Sequence, residues 1–309
     1  MRLHLLAPRY WLTWVGLGLL RLVAFLPYGV LVRLGRGLGL VLRHLPISFA
    51  RTARRNIELC LPELSPEARE RLLKEHFASL GVAVLEIPSA WWAPPRRLAK
   101  LVRVEGGEHL RAALARGRGA IVLTAHFTSM EMGGRALVSV APVAFLYRPP
   151  KNEVIAYAFE RFRTAYGGRG IPRDDIRGFI SALKHNDCVW YAPDQSYRKK
   201  GAEMVPLFGI PAASNTFTSR LARVTGAPVV PYFFRRLPGT QGYLGVIHPP
   251  LENFPSDCAV TDTARFYHMI EAQIRRVPEQ YLWIHRRFKG LSADYPDYYR
   301  RQAPRQATP

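Results

Sequence analysis

Acidic residues are scarce in this chain: 23 Asp and Glu stand against 44 Lys and Arg, and none of the 23 precedes Glu58. The net charge of +21 favours anionic partners. Cysteine is almost absent. Cys60, Cys188 and Cys258 are odd in number, unevenly spaced and without a CxxC, which excludes a disulfide framework or a cysteine zinc site. No metal or cofactor is expected, and the thiols are expected to stay reduced. Lysine is scarce too, with 7 residues against 37 arginines, so the basic charge sits mostly on planar forks suited to phosphates and carboxylates. Also missing are a GxSxG elbow, a Walker loop, a GxGxxG after a strand and an HExxH, so hydrolase, kinase, dehydrogenase and zincin readings fall away.

What is present is a foldable chain. With 48% hydrophobic and 11% aromatic residues it is too apolar to be disordered, and 309 residues bury one large core or two smaller ones. Arg2, Arg9, Arg21, Arg33, Arg36, Arg43, Arg51, Arg54 and Arg55 punctuate an apolar N-terminal stretch. Tyr10 to Val32 is interrupted only by Arg21 and as one helix would extend about 35 Å, enough to cross a bilayer core of about 30 Å. Arg21 and Pro27 oppose a single span, and two shorter amphipathic helices lying on anionic lipid satisfy the same residues. Both arrangements make 1–45 a membrane-associated unit. Because the arginines alternate with membrane-grade apolar sequence and form no polar arm, no nucleic-acid partner is expected.

Residues 46–290 read as an α/β domain. Ser65-Pro66 starts a helix expected to run towards Pro88. Apolar runs at 120–125, 143–147, 188–192 and 227–234 are expected strands, separated by helical patterns near 129–140, 152–166, 174–184 and 214–225. This alternation predicts a central, largely parallel sheet flanked by helices. Residues 291–309 lack periodicity and are expected to fray.

The strand at 120–125 runs directly into His126, with Glu131 five positions on. Five residues within one helix would place the two side chains about 140° apart, but a His before the helix and a Glu in its first turn can converge on one pocket. A carboxylate beside imidazole raises its basicity and sets its tautomer, so His126 can act as a general base oriented by Glu131. The alternative is a Thr128-x-x-Glu131 capping box that ties off helix amides. Active sites of open α/β sheets form beyond the carboxyl ends of strands, and the other strand ends supply Arg148 and Asp194. Arg161, Arg163, Arg169 and Arg173 follow on or just after the next helix, a concentration suited to phosphates or an acidic carrier.

His126-x4-Glu131 resembles the motif of the glycerolipid acyltransferase superfamily. The flanking segments resemble the late acyltransferases of lipid A biosynthesis, lauroyl type: PRYWLTWVGLGLL at 8–20, ARRNIELCLPELS at 53–65, HFTSMEMGGR at 126–135, YRPPKN at 147–152, VWYAPDQ at 189–195 and VPLFGIPAA at 205–213. The resemblance spans roughly residues 8–290. It implies an inner-membrane enzyme whose catalytic domain faces the cytoplasm, moving a fatty acyl chain from acyl carrier protein to a 3-hydroxyl on an acyl chain of the lipid A precursor. It further implies His126 as general base, Glu131 as its partner and Asp194 as the carboxylate of the family's PD element. Arg163 matches a family arginine near the site and Arg148 sits in the YRP element; Arg169 and Arg173 join the expected substrate-binding set for their charge alone. Where relatives often read PDHD, this chain has Asp194-Gln195-Ser196-Tyr197, lacking a second His and Asp.

Overall fold

The computed structural model of the chain describes residues 3–45, 48–148 and 150–300, save the side chain of Arg163. After two short 3-10 turns the apolar N-terminal stretch forms two helices, α1 (Trp11–Val23) and α2 (Tyr28–Leu42), broken before Pro27. The break is stabilised from outside the pair: Arg97 donates to the carbonyl oxygens of Ala24 and Leu26, which the ended helix leaves without amide partners. Among the described residues no helix is long and apolar enough to cross a membrane. Helix α1 buries none of its side chains, and Trp11, Leu12, Val15, Leu19 and Leu22 are all exposed.

Two further helices follow, α3 (Ser48–Cys60) and α4 (Pro66–Trp92). Ser65 caps α4 by accepting from the Ala68 amide at 3.2 Å. The helix does not stop at Pro88 as expected but continues through it to Trp92. An interior proline costs about 3 kcal/mol; the residues beyond it offset this by burial, Trp91 stacking on Phe162 at 5.0 Å and meeting Phe159 edge-on at 4.7 Å. Helix α2 lies along α4 on a glycine seam. A Cβ added to Gly39 would overlap the backbone of Phe77, one on Gly35 the backbone of Val82, and one on Gly81 the backbone of Gly35 and Gly39.

The chain continues through α5 (Pro95–Ala99), β1 (Val102–Glu105), α6 (Gly107–Leu114), β2 (Ala120–Leu123), α7 (Met130–Leu137), β3 (Val143–Tyr147), α8 (Glu153–Ala165), β4 (Gly168–Pro172), α9 (Ile176–Lys184) and β5 (Cys188–Tyr191). It closes with β6 (Ala202–Leu207), β7 (Ile210–Asn215), α10 (Phe217–Thr225), β8 (Val229–Arg236), β9 (Tyr243–Ile247) and α11 (Ala259–Arg276). Seven strands make one sheet in the order β1-β9-β8-β2-β5-β3-β4, while β6 and β7 form a separate hairpin. All neighbours in the large sheet run parallel except β8 and β9. The expected parallel centre is therefore present. Alternation along β2 sends Ile121 and Leu123 into the core shared with α3, α9, α10 and α11, and Ala120 and Val122 into the core beneath α6 and α7.

The expectation of a fraying tail from 291 is corrected over its described part. The Tyr299 hydroxyl donates to Asn56 Oδ1 at 2.6 Å and accepts from the Phe288 amide at 2.9 Å, so residue 299 is fastened to α3. The last nine residues lie outside the described ones.

The glycine seam generates a test. Gly39→Val should lower stability by about 3 kcal/mol, because the overlap is with backbone and no rotamer relieves it. Gly37→Val, where an added Cβ meets nothing within 4 Å, should leave the thermal midpoint in detergent unchanged or slightly raised.

Candidate active site

Strands β2 and β5 are parallel neighbours in the register Leu123 opposite Tyr191, and the Thr124 amide extends the ladder by donating to the Tyr191 carbonyl at 3.0 Å. His126 and Asp194 each stand three residues past these partners, so equal offsets bring them side by side beyond the strands' carboxyl ends. Asp194 engages His126 twice: Oδ2 accepts from the backbone amide at 3.0 Å and Oδ1 meets Nδ1 at 2.5 Å. The Asp194 side chain is 2% exposed and that of His126 24%. Burial works against the His126 imidazolium, but the charge of Asp194 and their hydrogen bond outweigh it and hold the ring above its ordinary value. Burial likewise works against the Asp194 carboxylate, and His126, through charge and two hydrogen bonds, holds it below its ordinary value.

The turn that presents His126 is secured by a distant segment. The Leu282 amide donates to the His126 carbonyl at 3.0 Å and the Thr128 amide to the Gln280 carbonyl at 2.7 Å, with Phe127 and Tyr281 forming an antiparallel bridge. The loop after Asp194 is held by the same segment, since the Ser196 amide donates to His285 Nε2 at 3.0 Å. Burial pushes the His285 imidazole down to about 4, which keeps it neutral and able to accept. Asn56 Nδ2 in turn donates to the carbonyls of Trp283 and His285 at 2.6 and 2.7 Å. On the α4 side, Thr128 Oγ1 pairs with Ser79 Oγ at 2.7 Å, and Ser79 Oγ accepts from Arg236 at 3.0 Å. Arg236 forms a buried fork on Glu86 at 2.5 and 2.8 Å, to which Tyr243 also donates at 2.5 Å. Sequence reading passed over Gln280, His285, Arg236 and Glu86; the WIHRRF run around His285 was the one local signal.

The expected roles are partly redistributed. The carboxylate on His126 Nδ1 is Asp194, not Glu131. Glu131 lies in the first turn of α7 and lines a recess with Ala90, Trp91, Gly134, Arg135, Phe145 and Phe162. The capping-box alternative is not formed by Thr128, whose hydroxyl is spent on Ser79; Ser129 is the N-cap. Arg148 and Arg173 each follow directly on paired strand ends, Tyr147 of β3 and Pro172 of β4, and so share one edge. Lys199 joins them through Asp174 at 3.0 Å, and Lys199, Arg173 and Arg148 together help lower that carboxyl. Arg169 is not brought there: it is the second residue of β4, four residues and about 13 Å from Arg173, and pairs with Asp187. Arg163 belongs to α8, its side chain outside those described.

The sequence profile of the bacterial lipid A biosynthesis acyltransferases matches residues 1–290. The chain belongs to this family. It is similar to the lipid A biosynthesis lauroyltransferase of Escherichia coli K12, 40% identical over 96% of this chain and 97% of that one. The palmitoleoyltransferase of the same organism is 41% identical over 92% and 93% of the two chains, and a lipid A biosynthesis acyltransferase of Haemophilus influenzae is 33% identical over 93% of each. This acyltransferase thus holds a buried His-Asp pair where its parallel strands end, with a cationic edge beside it.

The pair ties stability to pH. A raised imidazole contributes fully below its ordinary 6.5 and loses that contribution as pH climbs through the raised value. A lowered carboxyl contributes above its ordinary 3.8 and loses it as pH falls through the lowered value. The stability gap between the unaltered enzyme and Asp194→Asn, followed by thermal unfolding, should be widest between about pH 4 and 6.5, near 3 kcal/mol, and narrow on both sides.

Proposed function

We propose that this acyltransferase moves a fatty acyl chain, lauroyl or one of similar length, from acyl carrier protein to a hydroxyacyl 3-OH of the lipid A precursor. The observation that supports this most is the double engagement of His126 by buried Asp194 at the strand ends. With Nδ1 committed to Asp194, Nε2 is the nitrogen that takes the proton from the acceptor hydroxyl. The alkoxide attacks the thioester carbonyl, the tetrahedral intermediate expels the carrier's thiolate, and that thiolate receives the proton held by His126. An ester and a free thiol result, without a covalent enzyme intermediate. Glu131, in the first turn of the next helix, is the second carboxylate of the site. Arg148 and Arg173, with Arg163, hold anionic portions of donor or acceptor.

The setting proposed is the cytoplasmic face of the inner membrane. The exposed apolar side of α1, from Trp11 to Leu22, supports a helix lying in the interface, with Arg9, Arg21 and Arg33 at headgroup level. A phosphorylated acceptor anchored in that membrane then meets the site from below while a soluble carrier arrives from above.

The test is mass spectrometry of the lipid A precursor incubated with solubilised enzyme and mixed acyl carrier protein thioesters. A mass increase is expected with the unaltered protein and not with His126→Ala or Glu131→Ala, and its size identifies the chain; no increase with any donor from folded protein sinks this acceptor. The acid limb of kcat/KM should fall above pH 6.5, because a raised base must lose its proton before it can work. Asp194→Asn should move that limb to lower pH and cut kcat by roughly a thousandfold, through loss of the working tautomer.

A further inference from the structure

Between α2, α4, the carboxyl end of β8 and the end of α11 lies a cleft of about 800 Å³, apart from the strand-end edge that bears Arg148 and Arg173. Five arginines line it: Arg36, Arg71, Arg235, Arg236 and Arg276. Two of these are neutralised within the protein, Arg236 by Glu86 and Arg36 by Glu75 at 2.8 Å. The other carboxylate of the lining, Glu279, accepts from Gln280 Nε2 at 2.9 Å. Among the described residues Arg71, Arg235 and Arg276 have no carboxylate within ion-pair distance. Arg235 is half-buried, and burial together with the like charge of Arg276 pulls its guanidinium below the usual value. Arg235 and Arg276 repel one another, and the lining holds more guanidinium than carboxylate charge even with Glu75, Glu279 and the Glu86 partner of Arg236 counted, so an anion arriving between them reduces that cost.

The two ends of the cleft say where such an anion is presented. Its inner wall includes Ser79, Arg236 and Gln280, and the first and last of these are hydrogen-bonded to Thr128, two residues from His126. Its outer rim includes Val32 of α2, the helix that follows the exposed face of α1. A headgroup lying there would have its lipid chains towards the N-terminal helices and its polar end against the back of the catalytic turn. The number of donors decides the class of anion. A carboxylate has about four acceptor sites and is saturated by one or two guanidinium forks. A phosphate monoester carries close to two charges and three terminal oxygens, which matches three forks.

We propose that this cleft binds a phosphate monoester on the sugar headgroup of the acceptor lipid, with Arg71, Arg235 and Arg276 as its ligands. The assignment rests on the acceptor named above, and it places acceptor recognition on the opposite side of the catalytic turn from the Arg148 edge.

The experiment compares the unaltered enzyme with the double variant Arg71→Gln/Arg276→Gln, both exposed positions, on the phosphorylated lipid precursor and on the same precursor after phosphatase treatment. The expected result is a KM for the phosphorylated acceptor raised about tenfold or more with kcat within about twofold, and no change in KM for the dephosphorylated one. Equal weakening towards both acceptors, or an unchanged KM for the phosphorylated one, overturns the proposal. Millimolar inorganic phosphate should compete with the acceptor for the unaltered enzyme and not for the variant. Flotation on phosphatidylcholine vesicles with and without phosphatidylglycerol covers the other source of phosphate: loss of vesicle binding by the variant, with acceptor KM unchanged, would assign the cleft to bulk lipid and overturn the proposal. Direct titration of the phosphorylated precursor in detergent, without any thioester, reads the cleft even if no acyl transfer occurs, so failure of the transfer assay and failure of the cleft are separate results.

Discussion

Everything at the centre of this enzyme hangs on one buried carboxylate. Asp194 accepts from the backbone of His126 and from its ring, and so fixes both where the loop runs and which way the imidazole faces. The contact exists because β2 and β5 are parallel, adjacent and in a register that equalises the two overhangs. A slip of one residue would turn either side chain to the other face of the sheet. A carboxylate this deeply buried is tolerated because it is paired and hydrogen-bonded; alone it would take up a proton instead.

A second buried ion pair acts at one remove. The fork of Arg236 on Glu86 ties the end of β8 to α4, and Ser79 passes that attachment to Thr128 on the turn that carries His126. Desolvating two charges costs several kcal/mol per ion, and here Tyr243 and Ser79 supply the further hydrogen bonds that make such burial sustainable. The sheet, the long helix and the His126 turn are thereby held together by one buried polar lattice.

The architecture was legible where periodicity is strong. The strands at 120, 143, 188 and 227 and the helices between them follow from runs of apolar residues, and attention to their carboxyl ends singled out His126 and Asp194, which the structure pairs. Short or glycine-rich strands escaped: Gly168–Pro172 contains two glycines and a proline, and it forms a strand only because β3 offers it a ladder. Pairing was the harder inference. Glu131 was the obvious partner of His126 by proximity in sequence, yet the carboxylate on Nδ1 comes from 68 residues away, through strand order that no local pattern reveals. The same reason misplaced Arg169, whose number is close to Arg173 but which stands at the other end of the same strand. His285 and Gln280 were invisible because they act through a neutral ring nitrogen and a backbone carbonyl, for which residue identity leaves little trace.

The tie between Tyr299 and Asn56 gives the end of the chain mechanical importance. From the Tyr299 hydroxyl the path runs to Asn56, to the carbonyl of His285, from the His285 ring to the Ser196 amide, and two residues back along the chain to Asp194 and His126. Trimming the protein ahead of Tyr299, a common choice when a sequence ends in an irregular tail, would remove the outermost brace of this chain and loosen the imidazole's support with neither His126 nor Asp194 altered. Fusion partners are best joined beyond residue 300, which leaves the Tyr299 contacts with Asn56 and Phe288 uncut.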